Sequence, residues 1–437
     1  MAVLRAGFAS SEITPSIGTP LGGYLGRPQF AALGIHDPLF AKALALDHEG
    51  GTVLLFTLDL LGLTQERAAS IAEAVGRACG LPSGQVVIAC THTHSGPSTL
   101  PLRGMPYVSE GYFDYLTAQM VRAGRAALAG LRPARLLVGQ GRSDVGINRR
   151  VERGGAVGLG ENPGGTYDDA LLALRFLDAE TERTLGVVTA YGCHLTSLGE
   201  RNMLISAEWA GLAMAALERQ LGCPCLYFNG PFGNVNPRGR NGTWARTEEI
   251  ADTFRQDCLA ALAQAGPEPE LPVGLVPVEV ELPLAPLAPE EEIRATLEKA
   301  EAVLSGPADE DARRVAAVQQ SYARAVQARR AAGEERKSLA VRLTGLRIGS
   351  VALVGMPGEV FAEYALWLRE ESPLRYTVVL GNVGSEDGYL PTAAAFSEGG
   401  YEPGSFVYFW EQGYSEGIEG VLMDGAREML RQLAALT

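Results

Sequence analysis

Five histidines occur in the 437 residues. Two of them, His92 and His94, sit one residue apart in the stretch Val86–Pro97, VVIACTHTHSGP. The apolar run Val86-Val87-Ile88-Ala89 reads as a short buried strand. The chain leaves it through Cys90-Thr91-His92-Thr93-His94 and turns at Ser95-Gly96-Pro97. Residues i and i+2 share a face of an extended segment, so both imidazoles can enter one cleft at the strand end. Imidazole is the commonest metal ligand and the usual acid or base near neutral pH. His194 repeats the pattern: the apolar run Leu185 to Tyr191 ends on Gly192-Cys193-His194-Leu195-Thr196-Ser197. Two carboxylates are placed in the same way. Asp59 ends the strand-like VLLFTL, where it can face a cleft or serve as a structural cap. Glu359 follows the turn Gly355-Met356-Pro357-Gly358, where a carboxylate can point inwards.

These groups need strands and helices to carry them, and the chain supplies both in alternation. Strands are predicted at Leu39–Leu46, Val53–Leu58, 134–140, Leu171–Leu177, Leu185–Tyr191, Cys225–Phe228 and Tyr376–Leu380. A β-hairpin over Val341–Val354 turns at Gly349-Ser350. Helices are expected over Thr64–Cys79, stopped by Gly80 and Pro82, and over Tyr112–Leu128. Others run to about Leu221 with Ser206 as a plausible cap, over Thr247–Ala265, and over Val360–Glu370. The Gly-rich run up to Gly165 reads as a flexible connection. Pro267–Pro289 reads as an edge strand and a connection. Residues 290–338, rich in Ala, Glu and Arg, read as a helical hairpin or lid, foremost as a solvated insertion outside the chemistry. Strand–helix alternation gives an α/β class with mixed sheets flanked by helices, and the chain 1–437 reads as a single domain carrying the 290–338 insertion.

Composition limits the partners. A formal net charge of −14 argues against nucleic acid and against docking on an anionic membrane. A neutral lipid or small-molecule substrate is unaffected by that argument. No apolar run is long enough for a transmembrane helix, and the N-terminal MAVLRAGFASSEITP lacks the apolar region of a signal peptide. The six Cys show no CxxC spacing, which fits a reducing compartment. The expected location is cytoplasmic.

THTHSGP resembles the histidine motif of the neutral/alkaline non-lysosomal ceramidases, zinc amidases that cleave the N-acyl bond of ceramide. The likeness runs in order from about residue 5 to residue 405. It includes Gly34-Ile35-His36, Asn148-Arg149, Cys193-His194-Leu195-Thr196-Ser197 with Leu for the family's Pro, and Asn202 to Gly211. It continues in Pro357-Gly358-Glu359, in Tyr389-Leu390-Pro391-Thr392 and in Tyr401-Glu402. The resemblance implies a Zn2+ ion held by His92, His194, Glu359 and Tyr389. His94 is then placed for proton transfer, and Arg149 and Tyr401 for steadying an oxyanion. Where the family has Gly-Asp-Val-Ser-Pro, this chain reads Gly233-Asn234-Val235-Asn236-Pro237. A serine nucleophile is therefore absent at that point, and Asn236 is expected to orient substrate. With its end near 437, the chain is expected to lack the C-terminal immunoglobulin-like domain that the resemblance associates with many full-length ceramidases. The implied function is a zinc-dependent hydrolase cleaving an amide bond by metal-activated water. The alternatives are the same fold acting on an ester, lactone or other N-acyl substrate, and a binding homologue without catalysis.

Overall fold

The computed structural model describes residues 4–49, 51–269 and 272–436. Glu270 and Leu271, within the Pro-rich 267–289 stretch, lie outside the described residues. Alternating residues of the strands settle the architecture. In Phe40–His48, Ala41, Ala43 and Ala45 pack against the helices Gln65–Cys79 and Glu110–Ala129. Leu44 and Leu46 point to the other face, where they meet Leu346, Ile348, Val351 and Leu353 of a second sheet. Ala173, Val187 and Tyr227 likewise face the helices Glu208–Leu221 and Trp244–Ala263, while Leu174, Val188 and Phe228 join the inter-sheet core. On the far side, Val341, Leu343, Ala352 and Val354 pack against the helices Ala362–Glu371 and Ile418–Ala435. Period-two alternation on both sheets thus produces four layers, helix–sheet–sheet–helix.

The larger sheet runs Cys225–Asn229, Thr184–Tyr191, Ala170–Asp178, Arg132–Arg142, Arg5–Glu12, Phe40–His48, Gly51–Leu58, Val86–Cys90. Its parallel pairs are the two outermost on each side: Gly51–Leu58 with Val86–Cys90, and Thr184–Tyr191 with Cys225–Asn229. The smaller sheet runs Val273–Pro283, Ser338–Ile348, Val351–Gly355, Tyr376–Leu380, with the last pair parallel. Val273–Pro283 is at the edge, as the Pro-rich sequence suggests.

The large sheet twists until its two edges meet. Thr57 Oγ1 donates to the Tyr227 carbonyl at 2.6 Å, and Asn229 Nδ2 donates to the Thr91 carbonyl at 2.9 Å. The loops after both parallel pairs therefore open at one place.

Three segments differ from expectation. The Gly-rich run before Gly165 is an antiparallel hairpin, Gly146–Arg153 with Ala156–Asn162, because backbone pairing compensates for weak side-chain patterning. The helix expected from Val360 begins at Ala362, since Glu359-Val360 pairs in parallel with Tyr389-Leu390. The 290–338 segment is the expected hairpin, Glu290–Ser305 and Glu310–Ala332, yet one face of it is buried on the rest of the molecule. Among the described residues no helix is long and apolar enough to cross a membrane.

Candidate active site

The loop after Val86–Cys90 brings His92 and His94 to one cavity as expected, but through a left-handed backbone at His92, φ 68°, and not an extended segment. Thr91 and His92 donate backbone N–H groups to Leu58 and Leu60 at 2.8 and 2.9 Å, and Thr93 bridges in parallel to Leu195. That bridge joins the two histidine loops. His194 is fixed by its own N–H to the Val235 carbonyl at 3.1 Å and by Trp209 Nε1, which donates to the His194 carbonyl at 3.0 Å. The donor nitrogens of His92, His94 and His194 lie within 4.8 Å of one another. Glu359 enters from the smaller sheet, and its pairing with Tyr389 in the two-residue ladder sets these two residues side by side. Glu359 Oε2 is 2.8 Å from His194 Nε2 and 3.6 Å from His92 Nε2.

The second ring nitrogens sort the three histidines. His92 Nδ1 lies 2.7 Å from the Leu61 carbonyl, and His194 Nδ1 lies 2.8 Å from the Phe232 carbonyl. Carbonyls only accept, so both Nδ1 atoms carry the proton and both Nε2 atoms present lone pairs, while the Asn382 Nδ2 group 2.9 Å from His92 Nδ1 turns its own N–H to the Leu61 carbonyl. His94 Nδ1 is buried without a partner, and its Nε2 is 3.2 Å from His92 Nε2. Burial holds all three rings neutral: His92 falls to about 4 despite the nearby Glu359, with His194 adding to the depression. His94 and His194 also fall well below the usual imidazole value, His194 with the added push of the Arg149 guanidinium. Burial raises the Glu359 carboxyl against the pull of His92, Arg149 and Tyr389.

Arg149 comes from the strand Gly146–Arg153, whose N–H at position 149 donates to the Asn234 carbonyl at 2.9 Å. Its Nε donates to Glu402 Oε1 at 2.9 Å, while Arg150 Nη1 holds Glu402 Oε2 at 2.6 Å. Arg149 Nη1 touches the His194 ring at 3.2 Å and Asn236 Oδ1 at 3.4 Å, and Nη2 is buried without an acceptor. Burial opposes the Arg149 charge, but Tyr389, Glu402 and Glu359 outweigh it, so the guanidinium stays protonated. Tyr401 is 41% exposed and stands edge-on to Tyr389, with ring centroids 5.6 Å apart.

The eight residues expected as ligands, catalytic groups or substrate contacts (His92, His94, Arg149, His194, Asn236, Glu359, Tyr389 and Tyr401) therefore meet around one centre. A cavity of about 230 Å³ opens onto His92, His94, Arg149, Asn236, Glu359, Tyr389 and Tyr401. Leu61, Leu100, Leu102, Met105 and Phe409 form an apolar lobe, and Tyr24, Thr196, Glu200 and Arg240 form a polar wall. Asp59 is not there. It accepts from the Phe40 N–H at 2.9 Å in a separate cavity of about 70 Å³ shared with Lys42 and Tyr227. Burial raises it to about 6, partly offset by Lys42. His36 is also remote, stacked on Trp244 at 3.6 Å. The N-cap of the helix Glu208–Leu221 is Ala207 and not the expected Ser206, which lies one residue before it, where its Oγ accepts from the Glu208 N–H at 2.9 Å.

Sequence reasoning missed Asn382, Glu386 and the role of the helical hairpin. Asn382 Nδ2 donates to the same Leu61 carbonyl at 3.0 Å and steadies the anchor of His92. An Asn at the end of the strand Tyr376–Leu380 was the available signal. The Glu310–Ala332 helix braces the cavity rim. Arg314 donates to the Leu25 carbonyl at 3.3 Å and also reaches the Arg27 carbonyl, while Tyr322 packs on Phe406 at 5.9 Å. Arg329 and Arg103 both pair with Glu411. Amphipathic spacing alone does not say which neighbour such a helix covers.

The fold is shared with solved ceramidases. The crystal structure of the neutral ceramidase from Pseudomonas aeruginosa matches 100% of this chain and 75% of that chain, with TM-score 0.74 and 20% identity. A ceramidase complexed with C2 matches 99% of this chain and 76% of that one, with TM-score 0.73 and 19% identity. Residues 4–232 match the family described as neutral/alkaline non-lysosomal ceramidase, N-terminal, and the chain belongs to that family. The neutral ceramidase of Pseudomonas aeruginosa is 27% identical over 252 residues, which is 53% of this chain and 37% of the relative. That of Drosophila melanogaster is 27% identical over 234 residues, 50% of this chain and 32% of the relative. The matched stretch thus spans about a third of each curated relative's length.

Proposed function

We propose that this chain is a zinc-dependent amidohydrolase that cleaves the N-acyl bond of a lipid-like substrate, with relatives named neutral ceramidases as a guide to chemistry. The observation that carries this reading is the convergence of unshared electron pairs. With both Nδ1 protons committed to carbonyls, His92 Nε2, His194 Nε2 and Glu359 Oε2 face one another at 2.8 and 3.6 Å with no proton between them in the neutral rings. Arg149 Nη1 stands 3.2 Å from His194 Nε2 on one side of this group, and the three converging donor atoms form a set that a metal ion would satisfy. Nitrogen and carboxylate oxygen are the donors zinc takes in catalytic sites that keep a position open. Tyr389, in register beside Glu359, is the fourth donor of the proposed set. A metal-ligating histidine usually anchors its other nitrogen on a carbonyl or carboxylate. His92 and His194 do so and His94 does not, which supports His94 as a proton carrier rather than a ligand.

A zinc ion held by His92, His194, Glu359 and Tyr389 would lower the pKa of water to about 7 and would polarise a carbonyl oxygen. The chain's own groups do the rest. Arg149, held by Glu402, offers the unpaired Nη2 to the negative charge that develops on the substrate carbonyl oxygen. His94 Nε2 takes a proton and returns it to the leaving nitrogen. Asn236, held near Arg149, positions the substrate through its amide. The apolar lobe around Leu61, Leu100 and Leu102 shelters a hydrocarbon segment and excludes water.

The test combines metal analysis with hydrolysis of a panel of N-acyl amides and matched esters. About one zinc per chain and chelator-sensitive amide cleavage are expected. Full activity after complete metal removal would overturn the mechanism, and turnover of esters alone would replace the amide by the ester as substrate.

A further inference from the structure

Glu386 is a second buried carboxyl on the same cavity, and nothing in the proposed chemistry uses it. It sits in the loop between Asn382, which steadies His92, and Tyr389, and it is 2% exposed. Its Oε1 accepts from the Gly388 N–H at 3.1 Å, and its Oε2 is buried with no partner. Among the described residues no cation pairs with it. The neighbouring Asp387 is already satisfied by Ser385 at 2.6 Å and Gln65 at 3.0 Å.

The fold keeps this carboxyl in place. The Glu386 N–H donates to the Leu63 carbonyl at 2.8 Å. Gly62 passes so close that a methyl group there would lie 2.5 Å from Glu386 Cβ, with Leu100 at 3.2 Å. The carboxyl therefore stands among Leu61, Leu100 and Leu102, the apolar lobe of the cavity. A buried polar atom without a partner carries an unreturned desolvation cost. Polypeptide encloses the residue on the Gly62, Leu63 and Gly388 sides, which leaves the cavity as the source of a partner.

We infer that Glu386 is a specificity-determining residue that hydrogen-bonds a hydroxyl group on the substrate segment entering the apolar lobe. A hydroxyl both donates and accepts, so it pairs with the carboxyl in either protonation state, whereas an ammonium pairs only with the anion. The favoured substrate then carries a hydroxyl beyond a short apolar spacer, on either its acyl or its amine side. This rests on the hydrolase reading of the cavity.

The test measures binding and turnover separately, in the zinc-loaded full chain. The probes are two matched pairs of amides: N-acyl hydroxyalkylamines against N-acyl alkylamines, and ω-hydroxyacyl alkylamides against acyl alkylamides. Binding is read by competition calorimetry and turnover as kcat/KM. In one of the two pairs the hydroxylated member should bind about tenfold or more tightly than its deoxy partner, the worth of a hydrogen bond to a buried or charged group. Which pair shows it tells which side of the substrate enters the lobe. Glu386→Leu should abolish the preference, Glu386→Gln should retain part of it, and Glu386→Leu should unfold at an equal or higher temperature. Equal binding within both pairs, or a preference that survives in Glu386→Leu, would overturn the inference. A hydroxyl preference in binding with no hydrolysis of any amide would sink the amidase reading while leaving this one standing.

Discussion

His92 holds its ring on a left-handed backbone, φ 68°, a conformation that non-glycine residues rarely adopt. Such a residue costs of the order of 1–3 kcal/mol and persists only where its surroundings over-determine it. The N–H to Leu60, the Nδ1 contact with Leu61 and the Asn382 amide do so here. A ring held this firmly suits a ligand whose lone pair must be aimed. His92→Ala and His194→Ala should each lose bound zinc in a metal titration, and full retention in both would refute the ligand set. His94→Ala should keep the metal and lower turnover by roughly 10² to 10⁴, the range of a general acid–base group. If it strips the metal while His92→Ala does not, the two roles are exchanged. Asn236 can only donate or accept hydrogen bonds, so no acyl group should be trapped on the protein. Intact-mass analysis during turnover checks this, and a stable acyl adduct on any side chain would count against water as the attacking group.

At the scale of elements, one very short pairing carries a large consequence. Glu359-Val360 and Tyr389-Leu390 form a ladder two residues long, and it places two of the proposed ligands beside each other. The turn that allows it passes through Gly358 at φ 132°, where a Cβ would lie 2.4 Å from the Gly388 carbonyl oxygen. Alanine cannot adopt this backbone without strain. Gly358→Ala should lower stability by more than about 1 kcal/mol and weaken zinc binding at the same time. Gly420, in the helix Ile418–Ala435, faces open space. Gly420→Ala should instead stabilise by about 0.5–1 kcal/mol with metal affinity unchanged. Chemical denaturation with parallel metal titration separates the two, and equal effects would dissolve the link between that turn and the site.

At the scale of the whole molecule, the twisting of the large sheet brings its first and last strands together and assembles the cluster from segments far apart in the chain. Assembly buries three neutral imidazoles, and burial makes stability depend on pH. His92 falls from an ordinary value of 6.5 to about 4, so the unfolded chain binds a proton that the folded chain refuses. Its contribution is fully present above the unfolded value and is lost as pH falls from 6.5 towards 4, about 3 kcal/mol in all. Glu359 acts in the opposite sense, since its raised folded value favours the folded state as acid is added above 4.5. Unfolding of the metal-free protein at pH 7 and pH 5 should show a net loss that is smaller in His92→Ala. An identical loss in that variant would remove His92 as its source.

Local pattern alone was enough for part of this. Period-two alternation and Gly/Pro punctuation identify most strands and helices, and His92, His194 and Glu359 are recognisable as polar residues shortly past apolar runs, whereas Tyr389 enters only through the family resemblance. These are properties of a few consecutive residues, so they survive in one dimension. What needed tertiary structure involved partners distant in sequence. Asp59 and Glu359 look alike as strand-end carboxylates, but Asp59 turns to the Phe40 N–H and only Glu359 reaches the histidines. His94 and His92 look alike as neighbours, and only the carbonyls of Leu61 and Phe232 tell the anchored rings from the free one. The amphipathic helix Glu310–Ala332 has a face to bury, yet its binding to the rim depends on where Leu25 and Phe406 arrive. Burial, hydrogen-bond partners and the meeting of sheet edges are set by the sum of strand twists and packing, which no window of neighbouring residues contains.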